Sequence, residues 1–328
     1  MTMKVTVLGA GGWGTALAMK LFEKGYDTYL WSAFDKEVEE LNSTHKNRLL
    51  QGVMIPDGIT ITSDLDLAMD RTELVVIAVP SSAVKDVCKK LLIYNPLPVI
   101  VCVSKGFDED NGDLMGDVIG KILSTEKIVI LSGPTHAEEV SRDIPTAIVA
   151  ASEIEAYAKF VQNVFMSENF RVYTNTDVVG VEVSGALKNV IALCAGISDG
   201  CGYGDNTKAA LMTRGLSEIA KLGVAMGGRF ETFMGLTGVG DLIVTCTSVH
   251  SRNRRAGILI GKGMSAKEAV DEVKMVVEGI KSCKSAYLLS KKYNLDLPII
   301  KTAYDVLFNN VNPRAAVTEL MLRDKKSE

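Results

Sequence analysis

The chain of 328 residues lacks several features that would assign it to a particular class of protein. Its six cysteines form no C-x-x-C pair and no cluster with histidine, so neither a zinc site nor a disulfide framework is predicted. Its apolar runs are interrupted well short of the roughly 20 residues that a membrane-spanning helix needs. A net charge of -4 gives no general attraction to nucleic acid or to anionic membranes, and no secretory signal pattern precedes Val5. We therefore expect a cytoplasmic protein that binds no metal or nucleic acid and does not span a membrane.

Short apolar runs alternate with helical patterns along the first half of the chain. We predict buried strands at residues 4–8, 27–31, 74–79, 99–103, 128–131 and 147–150. Strands that alternate with helices are typical of a Rossmann-like, doubly wound parallel sheet with helices on both faces. The later patterns are all helical and cover residues 180–200, 207–227, 252–262, 265–278, 280–293 and 299–309. The sequence therefore predicts an α/β domain over residues 1–178 and an all-helical C-terminal domain over residues 179–328.

A glycine-rich loop follows the first predicted strand in the segment VTVLGAGGWGTALA. Gly9, Gly11 and Gly14 have the G-x-G-x-x-G spacing. The first glycine permits a tight turn, the second lets the backbone approach a pyrophosphate, and the third lets the helix pack close to the strand. The N-terminus of that helix offers N–H groups and the positive end of its dipole to the phosphates. Between the first strand and the first helix, this loop predicts dinucleotide binding.

The end of the second predicted strand, YLWSAFDKE, leaves the choice between NAD and NADP open. An acidic residue usually binds the ribose 2′-hydroxyl there, whereas an arginine accommodates a 2′-phosphate. Ser32 and Ala33 occupy that position, Asp35 comes slightly later, and no arginine is present. Lys36 could reach a phosphate, although an exposed helix lysine is the simpler interpretation.

One charged residue, Lys188, stands in the otherwise apolar helical segment VSGALKNVIALCAG. Ser184 lies four residues earlier on the same face, and the other faces carry Val, Leu and Ile, so the helix is expected to be mostly buried. Burial would lower the pKa of the ammonium toward the range of a proton donor or acceptor. The alternative interpretation is structural: the lysine reaches solvent with its head group, or pairs with Glu182 or Asp241.

The segment TGVGDLIVTCTSVHSRNRRAG combines a glycine turn, hydroxyl groups and arginines. The turn contains Gly238, Gly240 and Asp241, and the hydroxyls belong to Thr245, Thr247, Ser248 and Ser251. The next predicted helix begins with Arg252, Asn253, Arg254 and Arg255. A helix start with hydroxyls and a guanidinium suits a phosphate group. The alternative, a solvated basic face, explains neither the glycine turn nor the hydroxyls.

Two further residues follow predicted strands. Lys105, in VSKGF, is expected in the crevice where a nicotinamide would lie. His136, in SGPTHAEEV, is the only serious histidine competitor of Lys188 as an acid or base. The other two histidines, His45 and His250, are predicted to lie in surface loops.

Together these motifs resemble the NAD(P)-dependent glycerol-3-phosphate dehydrogenase family of the bacterial type. The resemblance covers nearly the whole chain, through GAGGWGTALA, VSKGF, SGPTHAEEV, GALKNVIALCAGISDG, GLTGVGDLIVTCTSVHSRNRRAG and VVEGI. It implies an oxidoreductase that interconverts sn-glycerol 3-phosphate and dihydroxyacetone phosphate with NAD or NADP. It also implies a homodimer that supplies glycerol 3-phosphate for phospholipid synthesis.

The resemblance implies roles for individual residues. Lys188 would be the proton acceptor, with Lys105 and Asp241 also in the catalytic group. Besides the loop glycines Gly9, Gly11 and Gly14, the implied cofactor-binding residues are Gly12, Trp13, Ala33, Lys105, Ala137, Arg252, Val276 and Glu278. The implied substrate-binding residues are Lys105, Gly133, Thr135, Lys188, Asp241, Ser251, Arg252 and Asn253. Relatives commonly have phenylalanine at the position of His136, which argues against His136 as the acid or base.

Two alternative functions remain open at the level of the sequence. One is a related β-hydroxyacid-type dehydrogenase, such as a 6-phosphogluconate or hydroxyisobutyrate enzyme, although the SRNRRAG segment favours a phosphorylated substrate. The other is a non-catalytic dinucleotide sensor. A sensor would not need Lys105, Lys188 and Asp241 together with a phosphate site.

We expect NADH to be used at least comparably to NADPH. Relatives commonly carry a basic residue near the position of Ala33, and without it a 2′-phosphate has no obvious bidentate partner. Values of kcat/KM measured side by side for the two cofactors check this expectation. A preference for NADPH above about 50-fold would contradict it.

Overall fold

The structure, a computed structural model, describes residues 2–325 and residue 327. The described chain divides into two compact units. The first unit runs to Lys105 and continues over Asp113–Glu182, and the second comprises Gly106–Gly112 and the chain from Val183 onward. The last change of unit, between Glu182 and Val183, falls inside the helix Val178–Gly200 rather than in a linker.

The first unit is built on one eight-stranded sheet. Its strands are β1 (Lys4–Leu8), β2 (Asp27–Trp31), β3 (Thr60–Thr62), β4 (Leu74–Ile77), β5 (Val99–Cys102), β6 (Ile128–Ser132), β7 (Thr146–Ala151) and β8 (Phe170–Asn175). Their spatial order is β3-β2-β1-β4-β5-β6-β7-β8. The strand order reverses between β1 and β4, and Rossmann-type sheets bind dinucleotides at such a reversal. The Rossmann-like fold that the sequence predicts is therefore confirmed.

The helices of the first unit connect these strands. They are α1 (Gly12–Glu23), α2 (Asp35–Thr44), α3 (Leu65–Met69), α4 (Val84–Leu91), α5 (Met115–Leu123), α6 (Ala137–Val140) and α7 (Glu155–Phe165). The residues of β4 are all buried, as expected for a strand covered by helices on both faces. One further helix, α8 (Val178–Gly200), begins in this unit and continues into the second.

The sheet differs from the prediction in three places. Strands β3 and β8 were not predicted, because β3 has only three residues and β8 alternates buried with exposed positions instead of forming an apolar run. The pair β6–β7 is antiparallel, whereas every other pair is parallel. The connection from β6 to β7 contains only the four-residue helix α6 rather than a full crossover helix, and a parallel pair needs such a crossover. The sheet is therefore mostly, not wholly, parallel.

The second unit is all-helical, as predicted. Besides most of α8 it contains α9 (Asp205–Ala225), α10 (Phe230–Phe233), α11 (Asp241–Thr247), α12 (Arg252–Gly261), α13 (Ala266–Val273), α14 (Glu278–Lys292), α15 (Pro298–Phe308) and α16 (Pro313–Met321). The turn predicted at Gly238, Gly240 and Asp241 takes a helical form. Residues Leu236–Gly240 make a π-helical turn that leads directly into α11.

Helix α8 is a core helix. By length and composition alone it could cross a membrane, and a bent pair of segments, Phe230–Thr247 with Arg252–Gly261, passes the same test when taken together. However, 83% of the most apolar stretch of α8 is buried inside the protein. A helix in the core of a protein has this character, because its apolar surface meets other side chains.

Glycines bring the backbones of α8 and α12 into direct contact. A Cβ atom built on Gly196 would lie 2.1 Å from the carbonyl oxygen of Arg254, and one on Gly257 would lie 2.1 Å from that of Leu193. Gly200 and Gly261 repeat the arrangement one turn later. Their built Cβ atoms would each lie 2.3 Å from a carbonyl oxygen of the facing helix, that of Ile258 and that of Ile197 respectively. No larger residue fits at these positions without separating the helices.

We expect Gly257→Ala to lower the free energy of unfolding by about 2 kcal/mol or more, because the new methyl group meets backbone that cannot move independently. Gly120→Ala is the matched control: Gly120 lies in helix α5, and its built Cβ makes only ordinary contacts, 3.4 Å from Cδ1 of Ile128 and 3.5 Å from the carbonyl oxygen of Thr125. Alanine there should be neutral or stabilise by up to about 1 kcal/mol. Urea denaturation of both variants measures the difference, and equal midpoints would contradict the close-packing argument.

Candidate active site

The glycine loop has the geometry that a dinucleotide requires. Gly9 has a φ of +120°, and its N–H donates to the carbonyl oxygen of Trp31 at 2.8 Å. A Cβ on Gly14 would lie 1.9 Å from the oxygen of Gly9, so only glycine permits this approach of helix to loop. Gly11 is the N-cap of α1, and a Cβ built on it would meet nothing within 4 Å. The space in front of the helix N-terminus is therefore open to a phosphate.

Residues outside the glycine motif hold this loop in place. The side-chain amide of Asn47 donates to the carbonyl oxygen of Ala10 and to Oγ1 of Thr15, both at 2.8 Å. No sequence pattern identifies Asn47, because nothing in the sequence indicates that the chain returns to the loop there. Ala137 borders the loop as well, 3.8 Å from a Cβ built on Gly12.

Trp13 and Ala33, two more predicted cofactor residues of this unit, lie in different surroundings. Trp13 is partly buried and packs against the hydrophobic core of the unit. Ala33 is exposed just beyond the end of β2.

Three predicted residues meet where β5 and β6 end. The ammonium of Lys105 donates to the carbonyl oxygen of Gly133 at 3.0 Å, and the hydroxyl of Thr135 donates to the same oxygen at 3.3 Å. His136 follows as the half-buried N-cap of α6. The structure therefore groups Lys105, Gly133 and Thr135 at the carboxyl edge of the sheet, where α/β proteins bind ligands.

Lys188 belongs to a buried polar cluster inside the second unit. Its ammonium contacts Oδ1 of Asp241 and donates to Oγ1 of Thr245 at 2.8 Å. The hydroxyl of Thr245 in turn donates to the backbone oxygen of Asp241 at 2.6 Å. Lys188 is 7% exposed and Asp241 only 1%. Thr245, one of the hydroxyls predicted to lie near the phosphate, is therefore a direct partner of Lys188.

Two opposing effects act on the charge of Lys188: its burial and its contact with Asp241. Burial favours the neutral amine, while a contacting carboxylate favours the ammonium. Pairing with Asp241 was the structural alternative for Lys188, and it is the geometry observed. Glu182, the other suggested partner, accepts a hydrogen bond from the N–H of Gly116 at 2.9 Å. Burial raises the pKa of the Glu182 carboxyl to about 8, so this group is mostly uncharged at neutral pH.

The side-chain amide of Asn253 makes two buried hydrogen bonds within the second unit. Its nitrogen donates to Oδ1 of Asn189 at 2.9 Å, and its oxygen accepts from the N–H of Gly279 at 2.8 Å. These bonds tie the SRN segment to α8 and to the start of α14, where Glu278 is half-buried. Val276, two residues before α14 begins, is exposed.

The residues at the start of α12 fall into two groups. Ser251 is buried and caps the helix, accepting from the N–H of Arg254 at 3.2 Å. The guanidinium of Arg254 pairs with Asp199 at 2.7 Å, so Arg254 has a structural role. Arg252 and Arg255 are exposed. Arg252, the first residue of α12, therefore stands closest to the positive end of the helix dipole.

The fold and these groups define a class of protein. A Rossmann-type sheet with an open glycine loop, together with a helical unit that buries a lysine–carboxylate pair, is the architecture of a dinucleotide-dependent dehydrogenase. Comparison with family models narrows the class. The model described as the N-terminus of NAD-dependent glycerol-3-phosphate dehydrogenase matches residues 4–158, and the model of its C-terminus matches residues 177–318. The chain belongs to the NAD-dependent glycerol-3-phosphate dehydrogenase family.

Individual relatives agree with this assignment. The chain is 52% identical over 330 residues to the glycerol-3-phosphate dehydrogenase [NAD(P)+] of Fusobacterium nucleatum, covering 99% of this chain and 98% of the relative. It is 54% identical over 327 residues to that of Thermoanaerobacter sp., covering 99% of each. The crystal structure of glycerol-3-phosphate dehydrogenase from Coxiella burnetii superimposes with a TM-score of 0.94 at 34% identity, covering 98% of this chain and 99% of the other.

We expect Lys188→Ala to reduce kcat by roughly 100-fold or more while cofactor affinity stays nearly unchanged. The substitution removes the side chain expected to act as the acid/base and leaves the glycine loop intact. Lys208→Ala is the matched control, since Lys208 also forms an ion pair in the second unit, with Asp199 at 2.8 Å. Steady-state kinetics and cofactor titration of both variants provide the measurement. A Lys188→Ala enzyme with more than about a tenth of the wild-type kcat would end the assignment.

Proposed function

We propose that this protein interconverts sn-glycerol 3-phosphate and dihydroxyacetone phosphate with NAD or NADP, and supplies glycerol 3-phosphate for phospholipid synthesis. The observation that carries the proposal is the buried cluster of Lys188, Asp241 and Thr245, in a chain that belongs to this dehydrogenase family. We assign cofactor binding to residues 1–178 and substrate binding to residues 179–328. We further propose that the enzyme acts in the cytoplasm as a homodimer.

The first unit is suited to hold the cofactor. The open space at Gly11 and the tight contacts of Gly9 and Gly14 support pyrophosphate binding at the start of α1. Gly12, Trp13, Ala33 and Ala137 would line the remainder, joined by Arg252, Val276 and Glu278 of the second unit. When bound, the nicotinamide supplies the chemistry of hydride transfer.

Lys188 is the proposed acid/base. In the oxidation of glycerol 3-phosphate its amine accepts the proton of the C2 hydroxyl, and in the reduction of dihydroxyacetone phosphate its ammonium returns that proton. Asp241 and Thr245 fix the position of the Nζ atom, because both contact it directly. Asp241 also favours the ammonium, which is the form that the reduction requires. Lys105 is proposed to contact both cofactor and substrate, and its positive charge would polarise the C2 oxygen.

Arg252 is the proposed anchor of the substrate phosphate. It is exposed at the first position of α12, where its guanidinium and the helix dipole both favour an anion. Ser251 fixes the start of that helix, and Asn253 ties it to α8. Gly133 and Thr135 are proposed to complete the substrate site. Holding the phosphate positions C2 for reaction, and this positioning lowers the barrier to the chemical step.

Oxidation of NADH or NADPH by dihydroxyacetone phosphate, followed by the loss of absorbance, tests the proposal directly. Arg252→Ala should lower kcat/KM for this substrate by roughly 100-fold or more, and Arg252→Lys should recover only part of the loss. The small activity on unphosphorylated dihydroxyacetone should hardly change, because that molecule does not use the contact.

Arg255→Ala is the matched control for Arg252→Ala, since Arg255 is also exposed, three residues further along α12. It should leave kcat/KM within about threefold of wild type, as surface substitutions normally do. Equal proportional losses on the two substrates in Arg252→Ala would refute Arg252 as the phosphate anchor. That result would reopen the choice among related dehydrogenases.

A further inference from the structure

We propose that Glu37 selects against the 2′-phosphate of NADP and thereby makes NAD the preferred cofactor. This inference rests on the proposed dinucleotide-dependent function. The sequence shows no acidic residue at the end of β2, where one is usual, but the folded chain brings a carboxylate to that position from the following helix.

The end of β2 lies directly beside the glycine loop. The N–H of Gly9 donates to the carbonyl oxygen of Trp31, the last residue of β2, at 2.8 Å. The next residue, Ser32, is buried, and its N–H donates to the carbonyl oxygen of Thr62 at 3.1 Å. In dinucleotide-binding sheets of this order, the residue at this strand end contacts the ribose of the adenosine half.

Glu37 reaches this strand end from helix α2. Its carboxylate accepts a hydrogen bond from the hydroxyl of Ser32, and the N–H of Phe34 donates to the same hydroxyl oxygen at 3.2 Å. Glu37 is half-buried, whereas its neighbours Asp35 and Lys36 are exposed. The hydrogen bonds therefore hold the carboxylate at the end of β2, although the residue lies five positions later in the chain.

A carboxylate at this position distinguishes the two cofactors by charge. The ribose 2′-hydroxyl of NAD can donate a hydrogen bond to it. A 2′-phosphate can donate none in its dianionic form and meets a like charge instead, and like charges placed together oppose binding. An arginine that would reverse this preference is absent from the YLWSAFDKE segment.

Binding of ADP-ribose and of its 2′-phosphate, measured by calorimetry, tests the inference without the nicotinamide or the catalytic reaction. Wild-type protein should bind ADP-ribose at least about tenfold more tightly than the phosphorylated form. Glu37→Gln should reduce the ratio to about threefold or less. Glutamine can still accept the hydrogen bond of Ser32, so the local structure is retained while the charge is removed.

Asp35→Asn is the matched control, because it changes the net charge by the same amount in the same helical turn but at an exposed side chain. The binding ratio of this variant should remain as in the wild type. The ratio of kcat/KM for NADH over NADPH should follow the binding ratios. A second, variant-free measurement uses salt: raising ionic strength should weaken the wild-type discrimination, since screening reduces repulsion between partly exposed charges.

The outcomes separate this inference from the proposed function. If neither ligand binds, the dinucleotide-dependent function itself fails. If both bind equally well to the wild type, or if Glu37→Gln and Asp35→Asn change the ratio alike, Glu37 is not the selecting residue. If Glu37→Gln lowers thermal stability but leaves the ratio unchanged, the Ser32–Glu37 contact only caps helix α2, and the inference is overturned.

Discussion

Where α8 and α12 cross, four glycines let the two backbones touch, and the proposed catalytic part of the second unit depends on this contact. The contact fixes the start of α12 against α8, so that Asn253 can bond to Asn189 at 2.9 Å. Asn189 adjoins Lys188, and Asn253 adjoins Arg252. A separation of the helices by the width of one methyl group would break this hydrogen bond between the two side-chain amides. It would also move Arg252, the proposed phosphate anchor, relative to Lys188, the proposed acid/base. The close glycine contacts between α8 and α12 thus help to set the relative positions of Lys188 and Arg252.

The charge inside α8 has a structural cost that its partners offset. A buried ammonium is tolerated only when it is paired and hydrogen-bonded, and Asp241 and Thr245 provide both. Loss of either charged partner would remove the opposite charge that contacts the other, and breaking a buried ion pair in this way typically costs about 3–5 kcal/mol. Stability and the proposed proton transfer therefore use the same contacts. The proposed phosphate anchor, Arg252, lies in different surroundings, because its side chain is exposed at the first position of α12.

Small polar side chains provide much of the positioning around both proposed binding regions. Asn47 holds the glycine loop, Ser251 caps α12, and Ser32 turns Glu37 toward the end of β2. Each of these side chains makes a hydrogen bond to a backbone group or to an acidic side chain, and this bond restricts the conformation of its partner. Arg254 is a contrasting example. Its position at the start of α12 suggested a phosphate ligand, but its guanidinium pairs with Asp199 and therefore has a structural role. Identical residue types in one motif thus serve different purposes, according to the groups they contact.

Sequence alone determined the elements whose chemistry is local: the apolar strands, the helices and the G-x-G-x-x-G loop. The spacing of Gly9, Gly11 and Gly14 already indicated a dinucleotide site, and the single charged residue of the apolar segment 183–196 already indicated a buried lysine. Tertiary structure decided the rest. It chose Asp241 over Glu182 as the partner of Lys188, placed β7 antiparallel to β6, and brought Glu37 and Asn47 to the glycine-loop region. These outcomes depend on residues that are distant in sequence or on the direction in which a side chain points. Hydrophobic periodicity and motif spacing carry no information about which distant groups the folded chain brings together.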